Sequence, residues 1–215
     1  MKVGVDAVLL GCWAGEKAET ILDVGTGCGV IALILAQRFQ EAKIDGIDID
    51  QESIEEASLN FNESPWRERL KVEKRKFPNI EKYKKYDLIV SNPPYFSAGL
   101  KNPETPREKA RHQDTLSIFT LIEECGKYLT ECGRLSMIFP SEFYDMAIKR
   151  GEEKGMFPSR VCFIRDREAS KEKRVMLEMG KERKDFIKEK LVLFGDERKP
   201  TENYRALCKD FYLKF

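Results

Sequence analysis

Asp23-Val24-Gly25-Thr26-Gly27-Cys28-Gly29 lies between the β-rich run 20–24 and the apolar stretch 30–39. A strand that ends in glycines and opens into a helix makes a turn where the backbone bends tightly and a ligand can approach closely. The glycines fall as G-x-G-x-G, one residue shorter than the G-x-G-x-x-G turn that seats a pyrophosphate on a helix N-terminus. With the acidic Asp23 ending the strand just ahead, the shorter form suits a ligand without phosphates. Gly25, Thr26, Gly27 and Gly29 then offer loop amides to a carboxylate, while Asp23 can pair with a positively charged amino group.

Asp48, in Gly46-Ile47-Asp48-Ile49-Asp50, ends the next β-rich run. It stands about twenty residues beyond the glycines, where a carboxylate can accept both hydroxyls of a ribose. Asp50 is the alternative, but strand alternation puts it one step further out, and capping the following helix is the task expected of it. An amino group, a carboxylate and a ribose together describe S-adenosylmethionine, whose methionine end carries the first two.

Further out, β-rich and helical stretches alternate, which points to a mostly parallel sheet covered by helices. Strands are expected over 20–24, 43–48, 70–73, 86–91 and 133–139, and helices over 6–13, 30–39, 51–62, 116–129 and 142–154. Two more strands, 161–165 and 174–179, flank a charged tip, and 191–194 and 203–215 close the chain as a strand and a packed terminal segment. One domain, 1–215, is expected: an N-terminal motif and helix to 15, a cofactor-binding core over 16–154, and a hairpin with a terminal segment over 155–215.

The fourth strand stops at Asn92-Pro93-Pro94-Tyr95. Both prolines fix φ and lack an amide hydrogen, and Pro93 forces Asn92 into an extended conformation. Such a stiff corner can aim the Asn92 side-chain carbonyl and the Pro93 backbone carbonyl at one point. An amine conjugated to a ring is a poor nucleophile with two hydrogens to bind. Two convergent acceptors hold both hydrogens and favour the pyramidal nitrogen that resembles the transition state. Tyr95, with Phe96 beside it, supplies a ring on which an extruded base can stack. In an order of 3-2-1-4-5 the ligand crevice falls between strands 1 and 4, so the glycine loop and Asn92 are expected side by side.

Composition sets the outer limits. Charged residues make up 35% and apolar residues 41% of 215, with a net charge of +1, so the chain reads as globular with a heavily charged surface. No apolar run approaches a membrane span, and the N-terminus has no apolar export core, so no membrane partner and a cytoplasmic location are expected. Six cysteines without a C-x-x-C pair, beside the single His112, predict reduced thiols and no metal site. Basic residues gather over 67–76 and again over 160–190, with acidic residues interleaved. A monomer is the expected state.

Taken together, 2–11, 23–29, Ser64-Pro65-Trp66, 92–96, the pair Arg107 and Arg111, and Asp210-Phe211-Tyr212-Leu213 resemble the bacterial tRNA (adenine-N6)-methyltransferases that act on adenine 37 of valine tRNA. The resemblance spans nearly the whole chain. It implies a class I, Rossmann-like methyltransferase fold, with a mostly parallel seven-stranded sheet, helices on both faces and an antiparallel C-terminal hairpin. It also implies methyl transfer from S-adenosylmethionine, leaving S-adenosylhomocysteine, to an adenine N6 in tRNA, with Asp6 near the methionine moiety. Arg107, Arg111, Arg165, Arg167, Lys171, Lys173 and Arg174 become candidate phosphate contacts, since tRNA is bound largely through backbone and shape. One position departs from the pattern: Lys76 aligns where the family carries an acidic contact to the cofactor's adenine, which leaves that ring to backbone groups around Phe77. Two other readings share parts of the pattern. Protein glutamine methyltransferases use the same corner on an amide but add a helical N-terminal domain, and a cofactor- or RNA-binding module would lack turnover.

Overall fold

The computed structural model describes residues 3–81, 83–94 and 116–212. Among them the strands are β1 (Thr20–Val24), β2 (Lys43–Asp48), β3 (Leu70–Lys74), β4 (Tyr86–Ser91), β5 (Leu129–Pro140), β6 (Phe157–Arg165), β7 (Arg174–Gly180) and β8 (Ile187–Val192). They form one sheet in the order β3-β2-β1-β4-β5-β7-β6-β8. The first five pair in parallel, β7 runs antiparallel between β5 and β6, and β8 is parallel to β6.

The sheet therefore has eight strands among the described residues, not the seven expected. Without β8, strand β6 would leave a row of unpaired N–H and C=O groups at the sheet's edge. Ile187–Val192 covers that row in a register running from Arg160↔Ile187 to Arg165↔Val192. Its sequence, Ile-Lys-Glu-Lys-Leu-Val, buries only Leu191, which is the look of a charged edge strand. The apolar signal is thus confined to its end, where the expected strand 191–194 begins.

The helices are α1 (Val5–Trp13), α2 (Val30–Arg38), α3 (Gln51–Glu63), α4 (Ile118–Cys125), α5 (Tyr144–Glu153) and α6 (Glu202–Cys208). Alternate strand residues feed two cores, one on each face of the sheet. Ile21, Leu88 and Ile138 pack with Leu9 and Leu10 of α1, Leu35 of α2, Phe61 of α3 and Tyr204 of α6. Leu22, Ile89 and Met137 pack on the other face with Leu121 and Ile122 of α4 and Ala147 of α5. Each fully buried leucine or isoleucine is worth roughly 1.5–3 kcal/mol relative to exposure. No described helix is long and apolar enough to cross a membrane.

Side chains mark where helices start. Asp50 caps α3, as expected: Oδ2 accepts from the Ser53 amide at 2.9 Å and from its hydroxyl at 2.8 Å. Ser117 caps α4 by accepting from the amides of Phe119 and Thr120. That helix ends at Cys125, short of the expected 129, because Leu129 already opens β5 and Tyr128 is buried in the core beside it.

Both ends of the central strands are tied. At the amino end, Asp87 Oδ2 accepts from the amides of Glu19 and Thr20 and from the Thr20 hydroxyl, each at 3.0 Å. Its Oδ1 accepts from Thr130 Oγ1 at 3.1 Å, which brings β5 into the same joint. At the carboxyl end, the buried Ser91 Oγ donates to the Val24 carbonyl at 2.7 Å.

Candidate active site

Strand order reverses between β1 and β4, and in an open sheet of this kind the ligand crevice lies outside the carboxyl ends of those strands. The register Ile21↔Leu88, Leu22↔Ile89, Asp23↔Val90 brings Val24 level with Ser91, so the glycine loop and Asn92 leave the sheet together. The Ser91 to Val24 hydrogen bond fastens the two strand ends at that point.

The loop needs its glycines. Gly25, Gly27 and Gly29 have φ of 71°, 56° and 82°, left-handed values that suit glycine. At Gly29, which caps α2, an added Cβ would come within 2.4 Å of the Phe61 ring, so α3 can pack here only against a bare backbone. The amides of Gly25 and Thr26 both donate to the Ile47 carbonyl, at 2.9 and 3.0 Å. The Gly27 amide donates to Asp48 Oδ2 at 3.0 Å. The loop is thereby moored to β2 and carries Asp48 beside it.

A cavity of about 520 Å³ opens over this loop. Gly25, Gly27, Asp48, Phe77, Asn92 and Pro94 all line it. Strands β1, β2 and β4 and the loop after β3 thus bring six expected site residues to one wall. No other described residue hydrogen-bonds the Asn92 side chain. Asp48 uses one lone pair of each oxygen within the fold, since Oδ1 accepts from the Asp50 amide at 3.0 Å. Its carboxylate can accept more.

Asp23 and Thr26 lie beneath the loop, away from that wall. Asp23 is fully buried; Oδ2 accepts from Thr26 Oγ1 at 2.7 Å, and Oδ1 has no hydrogen-bond partner. Burial pushes its carboxyl up to about 7, opposed by the Thr26 hydrogen bond and the nearby Ala32 backbone amide and reinforced by the charge of Asp48. Gly29 shapes the helix start, and Pro93 is not part of the wall. Asp6, at the start of α1, accepts from Arg174 Nη1 at 2.6 Å across 168 residues of sequence.

Several wall residues were not anticipated from the sequence: Ile49, Ser53, Arg75, Leu116 and Thr120. Ile49 was the most discoverable, because an apolar residue directly after Asp48 is left 46% exposed at the cavity. With Val24, Ile47, Phe77 and Leu116 it makes an apolar surface suited to a planar ring, while Asp48 and Asn92 supply polar atoms. Lys76 is also on the wall, and the Arg75 amide beside it donates to the Asp48 carbonyl at 2.8 Å.

The expected phosphate contacts divide. Arg165 pairs with Glu172 at 2.9 Å, Lys173 with Asp166 at 2.8 Å, and Arg174 bridges Asp6 and Asp166. Those three cations brace the β6–β7 hairpin. Arg167 and Lys171 are exposed on its tip. Tyr95, Phe96, Arg107, Arg111 and His112 lie outside the described residues.

A glycine loop after β1 and Asn92 and Pro94 after β4 thus face one cavity at the switch point of an open α/β sheet, the arrangement of a methyltransferase fold. Residues 5–148 match the family described as methyltransferase small domain, and the chain belongs to that family. It is 40% identical over 218 residues to the tRNA1(Val) (adenine(37)-N6)-methyltransferase of Parabacteroides distasonis. The enzyme of the same name from Trichodesmium erythraeum is 39% identical over 223 residues. Each alignment covers all of this chain and 92% of the relative. Among solved structures, a predicted O-methyltransferase from Agrobacterium tumefaciens superposes with a TM-score of 0.73 at 19% identity, over 95% of this chain and 96% of that one. The ribosomal protein L11 methylase of Lactobacillus delbrueckii does so at 0.56 and 17%, over 82% and 77%. These likenesses bear on the fold, which they share.

Proposed function

We propose that the chain transfers the methyl group of S-adenosylmethionine to the exocyclic N6 amine of an adenine in tRNA, adenine 37 of valine tRNA, in the cytoplasm. The observation that carries this reading is that Asn92 shares a cavity wall with Gly25, Gly27 and Asp48. The names of the full-length relatives supply the acceptor.

The residues present fit the cofactor. Asp23, the fourth residue of β1 just ahead of the glycine loop, has a buried Oδ1 that meets no donor at hydrogen-bond distance, and an ammonium group reaching it would complete it. Gly25 and Gly27 keep side chains off the cavity floor, where loop backbone can meet a carboxylate. Asp48 faces the cavity with acceptor capacity left for ribose hydroxyls, and Ile49 and Phe77 offer apolar surface to an adenine. When bound, S-adenosylmethionine supplies an electrophilic methyl on sulfur.

The chain's own contribution is to hold the acceptor nitrogen. Asn92 Oδ1, on the cavity wall, accepts one of its hydrogens, and the Pro93 carbonyl, behind that wall in the described residues, is assigned the other. Orienting the lone pair in this way is worth most if both acceptors are already rigid. The Ser91 to Val24 hydrogen bond and the two prolines provide that rigidity. A strong base is not required, because the nitrogen becomes acidic only as the methyl arrives and its proton can pass to solvent. Tyr95 and Phe96 are assigned to stacking on the extruded base.

The test is incubation of the protein with labelled methyl donor and either unmodified valine tRNA or a release-factor protein, followed by digestion. The reading expects labelled N6-methyladenosine from the tRNA. Methylated glutamine in its place, or no transfer to either, would overturn it.

A further inference from the structure

The carboxyl edge of the sheet continues beyond the cavity through β5, β7 and β6 to β8. From β4 this is four strand spacings, roughly 19 Å. At that far corner the β6–β7 tip meets the turn after β8 beside an open cavity of about 450 Å³, lined by Asp166, Arg167, Ser170, Phe194 and Arg198. Backbone bonds hold the two segments together: Leu193 and Phe194 donate to the carbonyls of Arg165 and Asp166 at 2.9 and 3.0 Å.

The charges here are sorted. Asp166 is engaged by Lys173 and Arg174, Glu172 by Arg165, and Glu197 by Lys199. Arg167 and Arg198 are both exposed and have no carboxylate partner among the described residues. Two guanidinium groups thus face one cavity whose only carboxylate is already neutralised twice, while Ser170 adds a hydroxyl. Phe194 supplies an aromatic surface, its ring set edge-to-face against Tyr204 at 6.0 Å.

The backbone of the turn is unusual in the same place. Glu197 and Arg198 have φ of 55° and 59°, two consecutive non-glycine residues in the left-handed region. Such conformations are uncommon outside glycine and asparagine, and they cluster where a side chain has a task. The Gly195 amide, donating to the Lys199 carbonyl at 2.9 Å, closes the turn around them.

We propose that Arg167 and Arg198 form a second anchoring site for the RNA, gripping a backbone phosphate through their guanidinium forks while Phe194 packs against the adjoining ribose or base. Arginine pairs suit phosphate because the planar fork matches its oxygens, and aromatic rings hold unpaired bases without regard to sequence. This site rests on the tRNA reading given above. It makes tRNA recognition a two-point grip, in which a remote phosphate and the target adenine are held along one edge of the sheet. The separation suits a polynucleotide and exceeds the span of a lone nucleotide.

The experiment uses the full chain and an unmodified valine tRNA transcript. Tight-binding assays over a salt series would compare wild type with Arg167→Ala, with the double variant Arg167→Ala/Arg198→Ala and with its Arg→Lys counterpart. Loss of the pair is expected to lower the slope of log K against log salt by about 1–2 and to raise KM for tRNA about tenfold. The maximal rate and the cofactor affinity should stay at wild-type values, and the lysine variant should recover the slope in part. Arg167 lies exposed on the tip and outside the left-handed turn, so the smaller slope change of Arg167→Ala is read without any question of folding. Wild-type binding and transfer with an unchanged slope and KM in these variants would overturn the second anchor alone. A wild-type chain that neither binds nor methylates tRNA would overturn the tRNA reading and the anchor with it.

Discussion

At the scale of single residues, the proposed function gives Asn92 and Asp23 different work. Asn92→Ala removes one of the two proposed acceptors for the nitrogen while leaving the loop and Asp48 in place. A fall in maximal rate of roughly a hundredfold or more is expected, by analogy with loss of one preorganised polar contact to a transition state, with cofactor affinity near wild type by calorimetry. Near-normal turnover would remove Asn92 from its assigned role. For Asp23, burial raises the carboxyl from 3.8 to about 7, so the folded chain binds a proton that the unfolded chain has released. The stability this contributes is full below about pH 3.8 and is lost as pH rises to about 7. An arriving ammonium group favours the ionised form. Cofactor binding below pH 7 should therefore release a proton, seen as a dependence of binding heat on buffer ionisation. Asp23→Asn should weaken binding yet stabilise the cofactor-free chain at pH 8, and a loss of stability there would contradict the buried, unsatisfied carboxylate.

At the scale of elements, what matters is how strand ends are fastened. Ser91→Ala breaks the tie from β4 to the Val24 carbonyl. It should cost about 1 kcal/mol of stability, and it should lower the maximal rate more than it alters cofactor affinity, because a misplacement of ~1 Å is worth ~100-fold in rate. Equal losses in both would mean that Ser91 supports the fold in general. Gly29→Ala meets Phe61 and a left-handed φ together, and should destabilise the chain by roughly 2 kcal/mol or more in denaturant unfolding. Much of this scale was legible in the sequence. The central strands and α2 carry clean apolar runs, and Asp50 is spaced to cap α3. Ser91 and Asp87 were not legible, because their partners sit 67 residues away and nothing local marks a hydrogen bond across strands. The edge strand β8 was legible only at its apolar end, since the alternating charges that protect an edge also hide it. The arginines were legible as basic but not as two populations: which of them are spent in ion pairs depends on Asp6, Asp166 and Glu172 being folded beside them.

At the scale of the whole molecule, the strand order could be anticipated because parallel strands alternating with helices have few ways to pack, and the crevice followed from it. Ligand binding at that crevice should stabilise the entire fold by mass action. At a hundredfold excess over Kd the gain is about 2.7 kcal/mol, readable as a rise in melting temperature. Asp48→Ala should abolish most of that rise, since it removes both the expected ribose contact and the Gly27 mooring; an undiminished shift would place the nucleoside elsewhere.

Helix α1 precedes every other described element in the chain, yet part of the surface it needs is supplied by β8 and α6, far along the sequence. Trp13 donates to Glu189 of β8 at 2.8 Å, and Cys12 shares its core with Tyr204 and Cys208 of α6. The glycine loop, Asp48 and Asn92 are all translated well before those residues. A nascent chain can therefore assemble the chemistry of the site and still hold an N-terminal helix with no finished bed to lie in. Adding β8 and α6 completes that bed, so a chain truncated before β8 should be insoluble even though it carries the glycine loop, Asp48 and Asn92.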